Sequence, residues 1–191
     1  MVRTPARRTQ GFWSTIRADL MANVDPAGRS RVGFWLTVVA KFMLSPQVRA
    51  VVSFRIAHLL TRLHLSPWAL LMKARNLRQT GADIHPLATI GPGFCLVHTS
   101  GVVIGQGSVI GSDCRMHQGA TVGEPGRGSR NSMSNPVVGD NVTIGAHAVI
   151  MGPSIVGDGA LIGANSVVVS DIPANSVAGG IPARVIRSHD N

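Results

Sequence analysis

From residue 84 to residue 168 the chain repeats with a period of six. Ile84, Ile90 and Leu96 form one run. Ile104, Ile110, Met116 and Val122 form a second, displaced by two residues, and Val138, Ile144, Ile150, Val156, Ile162 and Val168 form a third. Glycine follows many of these aliphatics, as at Gly91, Gly111, Gly139 and Gly157, and a small residue usually stands four places after each, as at Ala88, Ser108, Ala120 and Ser166. A helix of 3.6 residues per turn cannot hold positions six apart on one face for this long, and a strand of period two has no need of the glycines. Short strands joined by tight turns and wound into a solenoid satisfy both patterns. The aliphatic points inward, the small residue fills the corner, and three hexads make one triangular coil, which gives four to five coils. Cys114 falls in a small-residue slot, so packing rather than chemistry is its expected role.

Two places break the period. The register slips by two within Leu96-Val97-His98-Thr99-Ser100-Gly101-Val102-Val103, and residues 123–137 carry no six-residue pattern at all. The second segment reads as a loop thrown out from a coil corner, where loops tend to carry function.

Composition changes near Thr80. Nineteen of the 22 glycines lie after it, and residues 1–78 hold thirteen Lys or Arg against Asp19 and Asp25. The first part, 1–80, reads as a basic α-helical domain, 81–187 as the solenoid, and 188–191 as a short tail. Ile16 to Val24 reads as a helix ended at Asp25-Pro26. Leu-Ser-Pro at 44–46 and 65–67 predicts two more, each with serine as N-cap and proline at its first position. The excess of cations suits an anionic surface or solvates helix faces. No stacking platform, recognised motif or zinc spacing accompanies it, so nucleic acid is not an expected partner. No secretory leader is visible, and the apolar stretch Val32 to Leu44 is interrupted by Lys41 and too short to span a bilayer. The expectation is a cytoplasmic protein, with peripheral contact at the inner membrane face through the amphipathic first part.

His98 stands out among the seven histidines. It sits at the register slip, and Asp83 precedes it by fifteen residues, close to one coil of eighteen. The carboxylate is therefore expected beside the imidazole, fixing its tautomer and stabilising the imidazolium, as a general base acting on a hydroxyl requires. His117 is the runner-up base. A zinc site built from His98, His117 and His147 is the alternative for these histidines, but no metal motif accompanies them and no metal is expected.

Several segments together carry a resemblance. They are Asp25-Pro26-Ala27, Phe54-Arg55-Ile56-Ala57-His58, Asp83-Ile84-His85-Pro86, the His98 segment, Gln118 with Thr121-Val122-Gly123, and Ala178-Gly179-Gly180-Ile181-Pro182-Ala183-Arg184. Over about residues 16–187 the chain resembles the serine O-acetyltransferase family of hexapeptide-repeat acyltransferases. The resemblance implies a left-handed parallel β-helix with an N-terminal α-helical domain, a homotrimer, and acetyl-CoA held in a cleft between neighbouring subunits. It matches the family's catalytic pair to Asp83 and His98, places Gly123, Ala146 and Ala164 along the co-substrate, and puts Arg184 near its nucleotide end.

On the acceptor side the match is partial. Asp25 and Gln118 are retained. Val97 stands where the family has an aspartate before the histidine, and Ser134 and Asn135 stand where it has an Arg-His pair. Arg127 and Arg130 in the loop are candidate substitutes for the lost cation. These departures resemble the colanic-acid-type polysaccharide O-acetyltransferases. The expected activity is therefore acetyl transfer from acetyl-CoA to a hydroxyl of a small molecule, sugar or glycan. Serine is the alternative acceptor, and an inactive β-helix scaffold the non-enzyme alternative. The tail Ser188-His189-Asp190-Asn191 lacks the extended terminal peptide with which family members dock onto the sulfhydrylase, so no cysteine synthase complex is expected.

Overall fold

The computed structural model describes residues 11–24, 31–124 and 135–188. Four helices precede the solenoid: α1 (Phe12–Asn23), α2 (Arg31–Leu44), α3 (Pro46–Arg62) and α4 (Ser66–Thr80). The first is longer than the apolar pattern suggests, and α2 is the helix formed by the apolar stretch that ends at Leu44. Ser45 stands at the N-cap of α3 with Pro46 at its first position, but its hydroxyl donates to Gln47 Oε1 (2.6 Å) rather than capping a backbone amide. The second Leu-Ser-Pro departs from expectation: Leu65 is the cap and Ser66 is already helical. His64, at φ 60, turns the chain back so that Leu65 N–H donates to Leu60 O at 2.8 Å. This reversal starts α4 one residue early.

The rest is a left-handed parallel β-helix of two- to five-residue strands. Its first face stacks β1 (Asp83–Ile84), β4 (Val103–Ile104), β7 (Thr121–Gly123), β10 (Val149–Met151) and β13 (Val167–Val168). The second stacks β2 (Thr89–Ile90), β5 (Val109–Ile110), β8 (Val137–Val138) and β11 (Ile155–Val156), and the third runs from β3 (Cys95–Leu96) through β6 (Arg115–Met116), β9 (Thr143–Ile144), β12 (Leu161–Ile162) and β14 (Ser176–Gly179). β15 (Arg184–Ser188) folds back antiparallel on β14 and covers the last edge. Every lead aliphatic of the six-residue series is inward and buried, each contributing about 1.5–3 kcal/mol by leaving water.

Register locates the two interruptions. Val103 pairs with Thr121, an offset of 18 residues, and Val149 with Val167, again 18. Asp83 instead pairs with Val103, an offset of 20, because the segment after β3 holds two extra residues. Val109 pairs with Val137, an offset of 28, and the ten extra residues lie between β7 and β8.

The corner between the third and first faces repeats one left-handed residue per coil: Gly81, Gly101, Gly119, His147 and Asn165, with φ between 57 and 75. At Gly119 a Cβ would collide with the His147 ring as well as strain the backbone, which favours glycine at that position.

The open edge of the first coil is closed by the helices. Arg55 of α3 donates to Asp19 of α1 through Nε (2.7 Å) and Nη2 (3.1 Å), and also to the carbonyls of Ile90 and Gly91, each at 2.6 Å. Asp19 Oδ1 accepts the Phe94 amide at 3.0 Å, and His58 Nδ1 meets Pro86 O at 2.9 Å. Phe54 from α3 extends the coil core beneath Phe94 and Ile84. An exposed sheet edge is thus satisfied by a guanidinium rather than by another strand. Several large apolar side chains of α2 and α4, including Leu36, Val39, Met43, Trp68, Leu70 and Leu71, remain exposed. No helix among the described residues is long and apolar enough to cross a membrane.

Candidate active site

The same left-handed corner gathers most of the residues singled out by sequence. Gly101 N–H donates to Gly81 O, Gly119 N–H to Ser100 O, His147 N–H to Gln118 O, and Asn165 N–H to Ala146 O, at 2.8–3.0 Å. His98 and Val97 therefore lie in the corner segment stacked on Gly81. Gln118 and His117 lie one coil above, then Ala146, then Ala164. Asp83 begins the first face directly beyond Gly81, below Val103.

Within this ridge His98 is exposed and makes no side-chain hydrogen bond among the described residues. The expected contact with Asp83 is not formed. Lys73 Nζ of α4 lies 2.8 Å from Asp83 Oδ1, with the two side chains 25% and 34% exposed. Oδ1 accepts no directed hydrogen bond in this pair, so charge rather than hydrogen-bond geometry holds it. The inference of adjacency assumed a coil of eighteen. With a coil of twenty residues Val103 stands directly above Asp83, five residues beyond His98, and a helical cation meets the carboxylate instead. Spacing inside the solenoid could not reveal Lys73, because its reach depends on how α4 docks.

His85, at the far end of β1, accepts the Leu87 amide on Nδ1 (3.1 Å). Burial, and then the charge of Lys73, push its pKa below the ordinary histidine value, against the pull of Asp83. The Gln118 side-chain oxygen is buried without a hydrogen-bond partner, an unmet acceptor on the ridge that suits an amide or hydroxyl donor. Val97 is half-buried, and its carbonyl accepts Gln47 Nε2 of α3 at 3.2 Å, so the cap reaches the residue beside His98.

Other candidates lie elsewhere. Gly123 and Asn135 flank the inserted loop at the opposite end of the first face, where the Asn135 side chain covers Gly107 and its Oδ1 is buried and unpaired. Arg184 is exposed on β15, and its guanidinium donates to the Ala183 carbonyl (2.9 Å). Asp25, Arg127, Arg130 and Ser134 lie outside the described residues. Cys114 is buried, its thiol 3.1 Å from Gly139 O, and burial pushes its pKa up to about 12. No group of three or more His, Cys, Asp or Glu among the described residues is placed to hold a metal ion.

Residues 135–170 match the family model described as bacterial transferase hexapeptide (six repeats). A serine acetyltransferase of Helicobacter pylori is 39% identical over 164 residues, covering 85% of this chain and 90% of its own. The chain belongs to the serine acetyltransferase family. Soybean serine acetyltransferase, solved in complex with serine, superposes with a TM-score of 0.79 at 36% identity, over 92% of this chain and 69% of that one. The Brucella abortus serine acetyltransferase in complex with coenzyme A gives a TM-score of 0.81 at 31% identity, over 93% and 69%. Across curated relatives the share of their own length covered by this chain runs from 43% to 90%. As a member of the serine acetyltransferase family the chain is an acetyltransferase. The family assignment favours serine, the alternative acceptor, over the broader reading from sequence.

Proposed function

We propose that the chain transfers the acetyl group of acetyl-CoA to the hydroxyl of free serine, with His98 as general base. The observation that carries this reading is the single ridge on which His98, Gln118, Ala146 and Ala164 are stacked, in a chain whose relatives bear that activity in their names. Neutral His98 takes the hydroxyl proton as the serine oxygen attacks the thioester carbonyl. The resulting imidazolium returns the proton to the departing thiolate of coenzyme A. The backbone groups of Ala146 and Ala164, at successive coils above His98, suit an extended amide-bearing arm, and the unmet Gln118 oxygen adds an acceptor beside it.

A second reading, a neutral sugar or polyol acceptor, is supported by Val97 and Asn135, which bring no charge where a zwitterion needs partners. Release of coenzyme A thiol, followed with serine and with a panel of sugars and hydroxylated metabolites, separates the two. A kcat/KM for serine above that of every other acceptor supports the serine reading. A sugar turning over a hundredfold better than serine would overturn it.

The assembly proposed for this site is a homotrimer. Gly123 and Asn135 sit across the first face from His98, so one chain presents the two halves at separate corners. A neighbouring copy laid along the ridge would bring its loop corner to His98.

A further inference from the structure

The helix that leads into the solenoid wears its apolar side outward. The buried residues of α4 are Ala69, Asn76 and Thr80, and Asn76 Nδ2 donates to Ala50 O of α3 at 3.2 Å. Trp68, Leu70, Leu71 and Leu77 are exposed instead, Trp68 at 62% and Leu71 at 54%. A helix laid on a protein core ordinarily shows the reverse pattern. We propose that the outer face of α4, with the turn that joins it to α3, docks on the surface of an anionic lipid bilayer. The proposal is independent of which base or acceptor the active site uses.

The apolar surface is continuous. Residues 62–68, the hairpin tip, are all exposed, so Leu63 and Leu65 lead directly to Trp68. Trp68, Leu71, Arg75 and Arg78 then follow at helical spacing down one stripe. A groove of about 240 Å³ runs beside it, lined by Leu60 of α3 with Trp68, Leu71, Met72 and Arg75. Arg75 thus brings a cation to the border of an apolar strip, the arrangement of a helix that lies in the headgroup region.

Charge selects the occupant. Between Asp25 and Asp83 the sequence holds nine Lys or Arg and no Asp or Glu. Arg55 and Lys73 are taken by Asp19 and Asp83. Arg62, Arg75 and Arg78 are exposed and enter no salt bridge among the described residues. Arg78 donates to the Ala74 carbonyl of its own helix at 3.4 Å. A second copy docked through the same surface would set arginine against arginine, with no acid on α3 or α4 to offset the repulsion. An acidic protein would answer the arginines but would need a hollow shaped to the tip. A bilayer accepts tryptophan and leucine at the acyl boundary and offers phosphates to the guanidiniums without that demand. The contact is peripheral, because no helix among the described residues is long and apolar enough to cross a membrane.

The full chain is sedimented with vesicles of phosphatidylcholine and phosphatidylglycerol, and with vesicles of phosphatidylcholine alone. Binding to the mixed vesicles, weakened by salt, and little binding to the neutral ones are expected. Each basic residue near such a surface strengthens partition about fivefold, so Arg62→Gln, Arg75→Gln and Arg78→Gln together should lower it roughly a hundredfold. Leu70→Ser with Leu71→Ser should lower it about tenfold or more at unchanged charge. Arg115→Gln with Arg187→Gln, at two exposed arginines of the solenoid, should change it by less than about twofold. The share of tryptophan emission that Trp68→Phe removes should shift to the blue on binding. All these positions but Arg115 and Arg187 lie on the proposed surface, and circular dichroism confirms that each variant is folded. Failure to bind the mixed vesicles overturns the proposal. So does equal binding to neutral vesicles, or binding that neither the arginine nor the leucine changes reduce. Soluble polyglutamate held as tightly as the vesicles, whatever the leucines, would make the surface a general polyanion site. A mass by light scattering that doubles with concentration, and is reset by Leu70→Ser with Leu71→Ser, would make it an interface between copies. Either result overturns docking on a bilayer. No readout here uses turnover, so the docking surface can fail while acetyl transfer to serine stands, and the reverse.

Discussion

Arg55 provides the sharpest test of how the helices hold the solenoid. It is 6% exposed and Asp19 is 2% exposed. Arg55→Met removes four hydrogen bonds: two to Asp19 and one each to Ile90 O and Gly91 O. The Asp19 carboxylate is then left buried, with the Phe94 amide still donating to it. Removing one partner of a buried pair costs about 3–5 kcal/mol. Burial already holds the Asp19 carboxyl above the ordinary carboxylate range, even against Arg55. In the variant that displacement grows, so the missing stability is largest at neutral pH and shrinks as acid protonates the group. Asp19→Leu combined with Arg55→Met removes both charges. It leaves one amide and two carbonyls to be resolvated, at roughly 1–3 kcal/mol each, but Arg55→Met alone leaves the same two carbonyls with a buried charge besides. The double variant should therefore be more stable than Arg55→Met alone. Urea unfolding followed by circular dichroism, at one protomer concentration because assembly shifts apparent stability, measures Arg55→Met, Asp19→Leu and the double variant against the parent. A deficit below about 1 kcal/mol for Arg55→Met, or strictly additive single effects, would refute the reasoning.

Three further outcomes are expected. His98→Ala should lower kcat/KM by roughly 100- to 10,000-fold, with coenzyme A affinity by calorimetry close to the parent's; a crippled His117→Ala beside a mild His98→Ala would transfer the role of base. If the site is completed by a neighbour, His98→Ala chains refolded with chains altered at Asn135 should recover activity in mixed oligomers, whereas mixtures no more active than either parent would place the whole site in one chain. With its thiol held near 12 by burial, Cys114 should resist a maleimide at pH 8 until urea unfolds the protein, while half-buried Cys95 reacts first; mass spectrometry showing native labelling at Cys114 contradicts the packing role.

The solenoid was legible because each coil buries its own residues at a fixed interval. Ile84 through Val168 announce the core without any knowledge of what lies around it, and the two register breaks mark the His98 corner and the inserted loop. Contacts between unlike elements were not legible. The helical spacing in α3 tells which face is buried but not that Arg55 enters the open edge of the first coil. Net charge suggested solvated or surface-seeking cations, yet Arg55 is buried in a network and Lys73 is drawn to Asp83. The contact of Asp83 with His98 was read from a fifteen-residue interval set against a coil of eighteen, whereas this coil has twenty residues and Asp83 meets Lys73.

The helical cap and the chemistry share one surface. A parallel β-helix leaves the backbone of its first coil unpaired, and here α1 and α3 satisfy that edge through Asp19, Arg55 and Asn23, whose Nδ2 donates to Phe94 O at 2.8 Å. Once docked for that reason, α3 and α4 also deliver Gln47 to the carbonyl beside His98 and Lys73 to Asp83. Closing the edge and placing Gln47 and Lys73 at the corner are thus separate consequences of one interface, and they report differently. Loss of Arg55 should appear in the unfolding free energy, whereas loss of Lys73, a cation about a quarter exposed in a pair worth little to stability, should leave that free energy almost unchanged.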